Sequence, residues 1–166
     1  MGSFLGDDDA LNRQVLRAYT ETFDVRNRPL LASLRMFLEC FRLPKEVRYF
    51  ISSSLSSFLA LISNSNKKPK QAQQIDRILQ AFADVAFADC ADAAFFPSVD
   101  ACYILCFAVI MLNTDLHNPN IRAEKKMTLE QFLSHNRNYG DEVSKGVDLP
   151  AAWLTNIYRQ IKVRFS

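Results

Sequence analysis

The chain has 166 residues, 49% hydrophobic and 23% charged, with a formal net charge of +2. That is enough for one sizeable core and ordinary for a globular protein, and so small a charge excludes a composition dictated by nucleic acid or an anionic membrane surface. Four glycines and no regular apolar–polar alternation favour helices over strands.

Asp7, Asp8 and Asp9 precede LNRQVLRAYTETF, whose Leu11, Val15, Tyr19 and Phe23 recur near the helical period. Acids suit the positive end of a helix dipole. Pro29 opens a second predicted helix with Leu30, Leu34, Phe37, Leu38 and Phe41 on one face, and Pro44 ends it. A third runs from about Ala72 to Ala88 on a stripe of Ile75, Ile78, Leu79, Phe82, Val85 and Ala86. Ser98 caps a fourth, SVDACYILCFAVIMLNT, apolar nearly all round and therefore expected in the middle of the domain. Thr128 and Gln131 form a capping box for a short fifth helix, TLEQFLSHNR. Asp148 and Pro150 start the last, with Trp153, Leu154, Ile157, Tyr158 and Ile161 packing inward. The expected fold class is all-α, a stack of short helices without a repeat.

Cys40, Cys90, Cys102 and Cys106 make no CxxC pair. Cys102 and Cys106 lie one turn apart in an apolar run and read as buried thiols of a reducing, cytosolic chain. Two histidines far apart in sequence give no metal site. MGSFLGDDD lacks the basic start and apolar run of a signal peptide, and Gly6 stands where a myristoylation signal has Ser or Thr. Tyr49 to Ser63 is short and serine-rich for a bilayer span.

FAVIMLNTDLHNPNIRAEKKMTLEQFLSHNR is chemically unusual, because a core helix runs straight into a loop rich in amides and carboxylates. Tyr103, Phe107, Ile110, Met111 and Thr114 fall at i, i+4, i+7, i+8 and i+11. Such a stripe is either plain core or the wall of a groove for a partner's apolar side chains, and the pattern alone does not choose. The segment resembles the second signature motif of the Sec-seven domain, the exchange module of Arf guanine-nucleotide-exchange factors. FRLPKE joined to AQQIDRILQAF resembles the first motif, which runs FRLPGEAQKIDR in the family. NRQVLRAYTETFD, LRMFLECFRLP and DLPAAWLTNIYRQIK also resemble the family in order and spacing, so that only residues 47–71 and the last few stand outside.

The resemblance implies a right-handed superhelix of helices that promotes GDP release from an Arf-type small GTPase, a regulator of vesicle traffic rather than a covalent catalyst. It makes Glu46 the catalytic glutamic finger. It makes Tyr103, Phe107, Ile110 and Met111, with Asn118 in the following loop, the GTPase-binding groove. Phe107, Ala108, Asp115 and Met127 match the positions that contact brefeldin A. Sensitive members have Tyr-Ser where this chain has Phe107 and Ala108, and Asp and Met where it has Asp115 and Met127. The implied partner is the GDP-bound GTPase, with no cofactor, no metal and no nucleic acid. Membrane contact would be indirect or through flanking domains, and the location cytoplasmic, peripheral to Golgi or endosomal membranes. The basic clusters Lys67, Lys68, Lys70 and Arg122, Lys125, Lys126 read as solvated faces.

An acid suits the finger position physically. The GTPase holds GDP through Mg²⁺ and a phosphate-binding lysine, and a carboxylate in that pocket repels the β-phosphate and competes for its cations. Two departures qualify the match. Lys45 stands where the family usually has glycine, and the family domain begins with further helices ahead of the point matched by Met1. Residues 1–166 are therefore expected to be a partial domain, incomplete at its N-terminus and with an apolar face left uncovered.

Residues 47–71, VRYFISSSLSSFLALISNSNKKPKQ, interrupt the first motif. Removing them restores FRLPKEAQQIDRILQAF. Val-Arg can be written GTAAGA or GTAAGG, like an intron donor; Phe, Ser and Leu take largely pyrimidine codons; Lys-Gln can be AAACAG, like an acceptor. A retained intron or a mistaken gene boundary is the expectation. A genuine surface loop costs little closure entropy, and an amphipathic membrane element fits the serine-rich pattern poorly. If PKQAQQIDR were the motif instead, Gln71 would stand at the finger and the chain would bind without exchanging. A catalytically impaired GTPase-binding module is thus the alternative function.

Overall fold

The computed structural model describes residues 9–40 and 70–163, with backbone alone for Cys40 and for residues 70–72. Phe41, Pro44, Lys45, Glu46 and residues 47–69 lie outside the described residues. Seven α-helices are described: α1 Ala10–Glu21, α2 Leu30–Cys40, α3 Lys70–Asp89, α4 Val99–His117, α5 Leu129–His135, α6 Asp141–Ser144 and α7 Ala151–Lys162. No strand occurs among the described residues, so the all-α expectation holds.

The caps follow local chemistry. Asp9 accepts from the Leu11 N–H at 3.1 Å, and Ser98 accepts from the Ala101 N–H at 3.1 Å, each satisfying a donor that a helix start leaves without a partner. Thr128 and Gln131 form the reciprocal capping box. α2 begins after Pro29 and is capped from a distance, with Asp92 Oδ2 accepting from the Leu30 N–H at 2.6 Å. Asp148 does not cap α7 with its side chain; Oδ1 accepts from the Asn138 N–H at 2.9 Å and pins the preceding loop. The short α6 has no counterpart in the sequence expectations, because four residues cannot display a period. Gly140 before it sits at φ 89°, a conformation that costs glycine little.

The helices stack in order. α1 and α2 pack on α3, α3 on α4, α4 on α7, and α7 on α5. α3 buries Ile75, Ile78, Leu79, Phe82, Ala83 and Ala86, nearly the stripe expected of it. Phe82 meets Phe37 of α2 at 4.9 Å between centroids, and Phe37 meets Phe23 edge-on at 5.2 Å. The fully buried Phe37 and Phe82 each contribute about 1.5–3 kcal/mol by burial. α4 is long and apolar enough to cross a membrane by length and composition, yet ten of its residues are buried in this stack. It is the central helix.

α1 departs from expectation. Its inward residues are Asn12, Leu16 and Thr20, while Leu11 and Val15 are 61% and 40% exposed. The aromatic ladder sets the rotation. Tyr19 stacks edge-on to Phe23 at 5.2 Å, Phe23 is held by Phe37, and Leu16 then faces α3 in place of Val15.

Candidate functional site

α4 carries the candidate stripe, and its exposure is graded. Cys102, Leu105, Cys106 and Leu112 retain none of their surface, whereas Tyr103, Phe107, Ile110 and Met111 retain 9, 8, 8 and 7%. Those four are buried members of the core that keep a narrow rim of surface, beside the half-buried Ile104 and Ala108. The rings of Tyr103 and Phe107 are 6.5 Å apart at a tilt of 58°. Thr114 turns its hydroxyl onto the Ile110 carbonyl at 3.0 Å, so the stripe ends without a free donor from that residue.

The Tyr103 hydroxyl donates to the carboxylate of Asp76 on α3. Burial, and then that carboxylate, hold the phenol above its ordinary value, so it remains a donor at neutral pH. This bond ties α4, one turn ahead of the second signature segment, to the first motif on α3. The buried thiols of Cys102 and Cys90 are inert. A hydrogen bond with Cys106 and burial raise Cys102 well above the ordinary thiol value, and burial pushes Cys90 up to about 11, far from a reactive thiolate.

Beyond the stripe, α4 hands over to a polar loop at residues 118–127. Asn118 is half-buried at its start, with Oδ1 accepting from the Asn120 N–H at 2.9 Å. Asp115 Oδ2 accepts from the Met127 N–H at 2.6 Å, which brings those two brefeldin-matching positions together. Phe107, Met111 and Asp115 share an edge of α4 at i, i+4 and i+8, with Ala108 half-buried beside them. Lys126 Nζ reaches the Leu116 carbonyl at 2.5 Å, a cation at the negative end of the helix. Lys126 therefore leaves the basic cluster; Arg122 and Lys125 stay exposed.

Glu46 lies outside the described residues, so the structure brings together the groove and brefeldin positions without the finger. Asp76, Lys126 and Tyr158 were not singled out from sequence as site residues. The signal for Tyr158 was a hydroxyl in an otherwise apolar stripe, which needs a partner when buried. A cleft of about 880 Å³ lies elsewhere, between α1 and α3, floored by Leu16, Ala81 and Val85 and rimmed by Arg13, Arg77 and Asp84. None of the candidate residues lines it.

The Sec7 domain family model matches residues 1–58 and 48–164. Over 162 residues the chain is 37% identical to the brefeldin A-inhibited guanine nucleotide-exchange protein 1 of Homo sapiens, covering 97% of this chain and 7% of that protein. It is 37% identical over 162 residues to cytohesin-4 of Homo sapiens, covering 98% and 33%. It is 36% identical over 161 residues to the ARF guanine-nucleotide exchange factor GNL2 of Arabidopsis thaliana, covering 97% and 9%. The chain thus spans a third or less of these relatives. Among solved structures, the N-terminal Sec7 domain of RalF matches with a TM-score of 0.70 and 32% identity, over 98% of this chain and 65% of that one. The structure of ARF1-GDP bound to a Sec7 domain complexed with brefeldin A matches with a TM-score of 0.66 and 27% identity, over 98% and 65%. With AQQIDRILQAF of the first signature segment on α3, packed against the α4 that opens the second, and the family model matched over residues 1–58 and 48–164, the chain belongs to the Sec7 domain family.

Proposed function

We propose that this chain is a guanine-nucleotide-exchange module for an Arf-type GTPase, binding the GDP-bound form along α4 and driving GDP out with Glu46. The observation that carries the proposal is the rim of Tyr103, Phe107, Ile110 and Met111, which keep 7–9% of their surface where Cys102, Leu105, Cys106 and Leu112 keep none, followed by a tied loop bearing Asn118. A GTPase switch region with apolar side chains would complete the burial of this rim and meet Asn118 at its end. Glu46 would act as a charge in the nucleotide pocket, with no covalent step. The domain would work in the cytoplasm, at Golgi or endosomal membranes reached through other parts of a longer protein.

A fluorescent mant-GDP release assay on Arf-type GTPases tests this directly. Faster release with catalytic amounts of the chain is expected. Measurable binding with no acceleration would favour the impaired, GTPase-binding alternative, which the interruption of the first motif motivates. The split of the family match into two pieces overlapping at residues 48–58 supports extra residues there.

Groove variants give the next expected result. Asn118→Ala and Met111→Ala should each weaken GTPase binding about tenfold, the scale of a good interface contact. Asn118→Ala is the cleaner test, because Met111 is 7% exposed and its truncation also costs core packing. Unchanged affinity for Asn118→Ala with an unchanged circular-dichroism melt would assign the stripe to the core alone.

Brefeldin A should inhibit poorly. Phe107 and Ala108 lack the two hydroxyls of sensitive members, and each hydrogen bond lost from a closed interface costs about 0.5–1.5 kcal/mol. Asp115 and Met127 match the sensitive pattern, but the Asp115 carboxylate is already engaged by the Met127 N–H. Exchange rates measured with and without the drug should agree, and strong inhibition at low micromolar drug would overturn this.

A further inference from the structure

We infer that Tyr158 is a positioning residue for the groove: from α7 it orients the loop that carries Asn118, by holding the carbonyl of Met127. The inference rests on the exchange function proposed above. Residues 118–127 leave α4 and return to it. The Ile121 N–H donates back to the Asn118 carbonyl at 3.3 Å, and a 3₁₀ turn at Ala123–Lys125 reverses the chain. Lys126 and Met127 then close onto Leu116 and Asp115 at 2.5 and 2.6 Å.

Those bonds seal the loop on the last turns of α4. Tyr158 supplies the outside tie, its hydroxyl donating to the Met127 carbonyl at 2.8 Å. The peptide groups on the two sides of Met127 are thus held by different helices, the N–H by α4 and the carbonyl by α7. Tyr158 itself is buried, and its ring packs on Phe132 at 6.0 Å between centroids, so the core sets where the hydroxyl points. Burial, with Asp115 nearby, keeps the phenol protonated. One turn further on, His117 Nε2 lies 2.8 Å from the Ile161 carbonyl, bracing the same two helices. A loop already oriented spares the partner the cost of ordering it on binding.

Tyr158→Phe in the full chain keeps the ring and removes only the donor. KM for the GDP-bound GTPase should rise about five- to tenfold, the worth of one hydrogen bond, with kcat within about twofold. Tyr158→Phe combined with Asn118→Ala should lose no more than Asn118→Ala alone, because both act through the same contact. Amide hydrogen exchange over residues 118–127 should quicken in Tyr158→Phe. An unchanged KM overturns the inference, as do additive losses in which kcat and the melting temperature fall together. If the parent chain accelerates release from no Arf-type GTPase, the functional proposal fails by itself. Amide exchange still decides the tie: quickened exchange upholds it and unchanged protection overturns it.

Discussion

Glu46→Lys is expected to suppress nucleotide release by about three decades while leaving GTPase binding nearly intact. Two unit charges 4 Å apart interact by roughly 4 kcal/mol at an effective dielectric near 20, which is about a thousandfold in rate if it falls on the bound state alone. In the proposed role, the native carboxylate would raise the free energy of bound GDP by repelling its β-phosphate. An ammonium at the same place would attract that phosphate and hold the nucleotide in. In the proposed mode, binding along α4 would involve Tyr103, Phe107, Ile110 and Met111, apart from position 46, so affinity should survive. Parallel measurements of mant-GDP release and of complex formation with the GTPase separate the two effects. The finger assignment fails if the charge-reversed protein exchanges as fast as an active parent.

Deleting residues 47–71 is expected to raise exchange activity by about one to two decades. The deletion rejoins Glu46 to Ala72 and recreates the uninterrupted first motif. α3 begins at Lys70, so the cut trims its first two residues and sets the finger directly ahead of a helix anchored by buried Ile75 and Ile78. Every residue between Glu46 and that anchor adds backbone conformations that must be given up when the carboxylate reaches the phosphate. At on the order of 1 kcal/mol per residue ordered, sparing two or three of them accounts for the expected gain. Transcripts across codons 46 to 72 supply an independent check, with splicing at Glu46 expected. Messages that consistently retain the segment, together with a deletion protein no faster than the parent, would make residues 47–71 a genuine part of the protein. A faster deletion protein also rules out Gln71 as the finger, since the cut removes it.

What the sequence by itself determined is the set of properties that rest on local chemistry and on long motifs. Helix class, the caps at Ser98 and Thr128, the central place of α4 and the family were all legible. A cap depends on residues three or four apart, and an all-round apolar helix has only one stable place in a stack. The inward stripes of α3 and α7 were legible for the same reason, because strong apolar periodicity outweighs other preferences. Tertiary structure decided what depends on partners distant in the chain. α1 turned Leu16 inward instead of Val15 because Phe37 captured Phe23, and this buried Asn12 and Thr20, a face that apolar periodicity alone would not select. Asp148 pins the loop at Asn138 and Asp92 caps α2 from 62 residues away, pairings that no local period announces. The same holds at the site. The sequence put Asp115, Met127 and Tyr158 on separate segments, and only folding joined them through the two peptide groups of one residue. A carboxylate or hydroxyl carries no mark of its acceptor or donor along the chain; its partner is settled when burial removes water as the alternative.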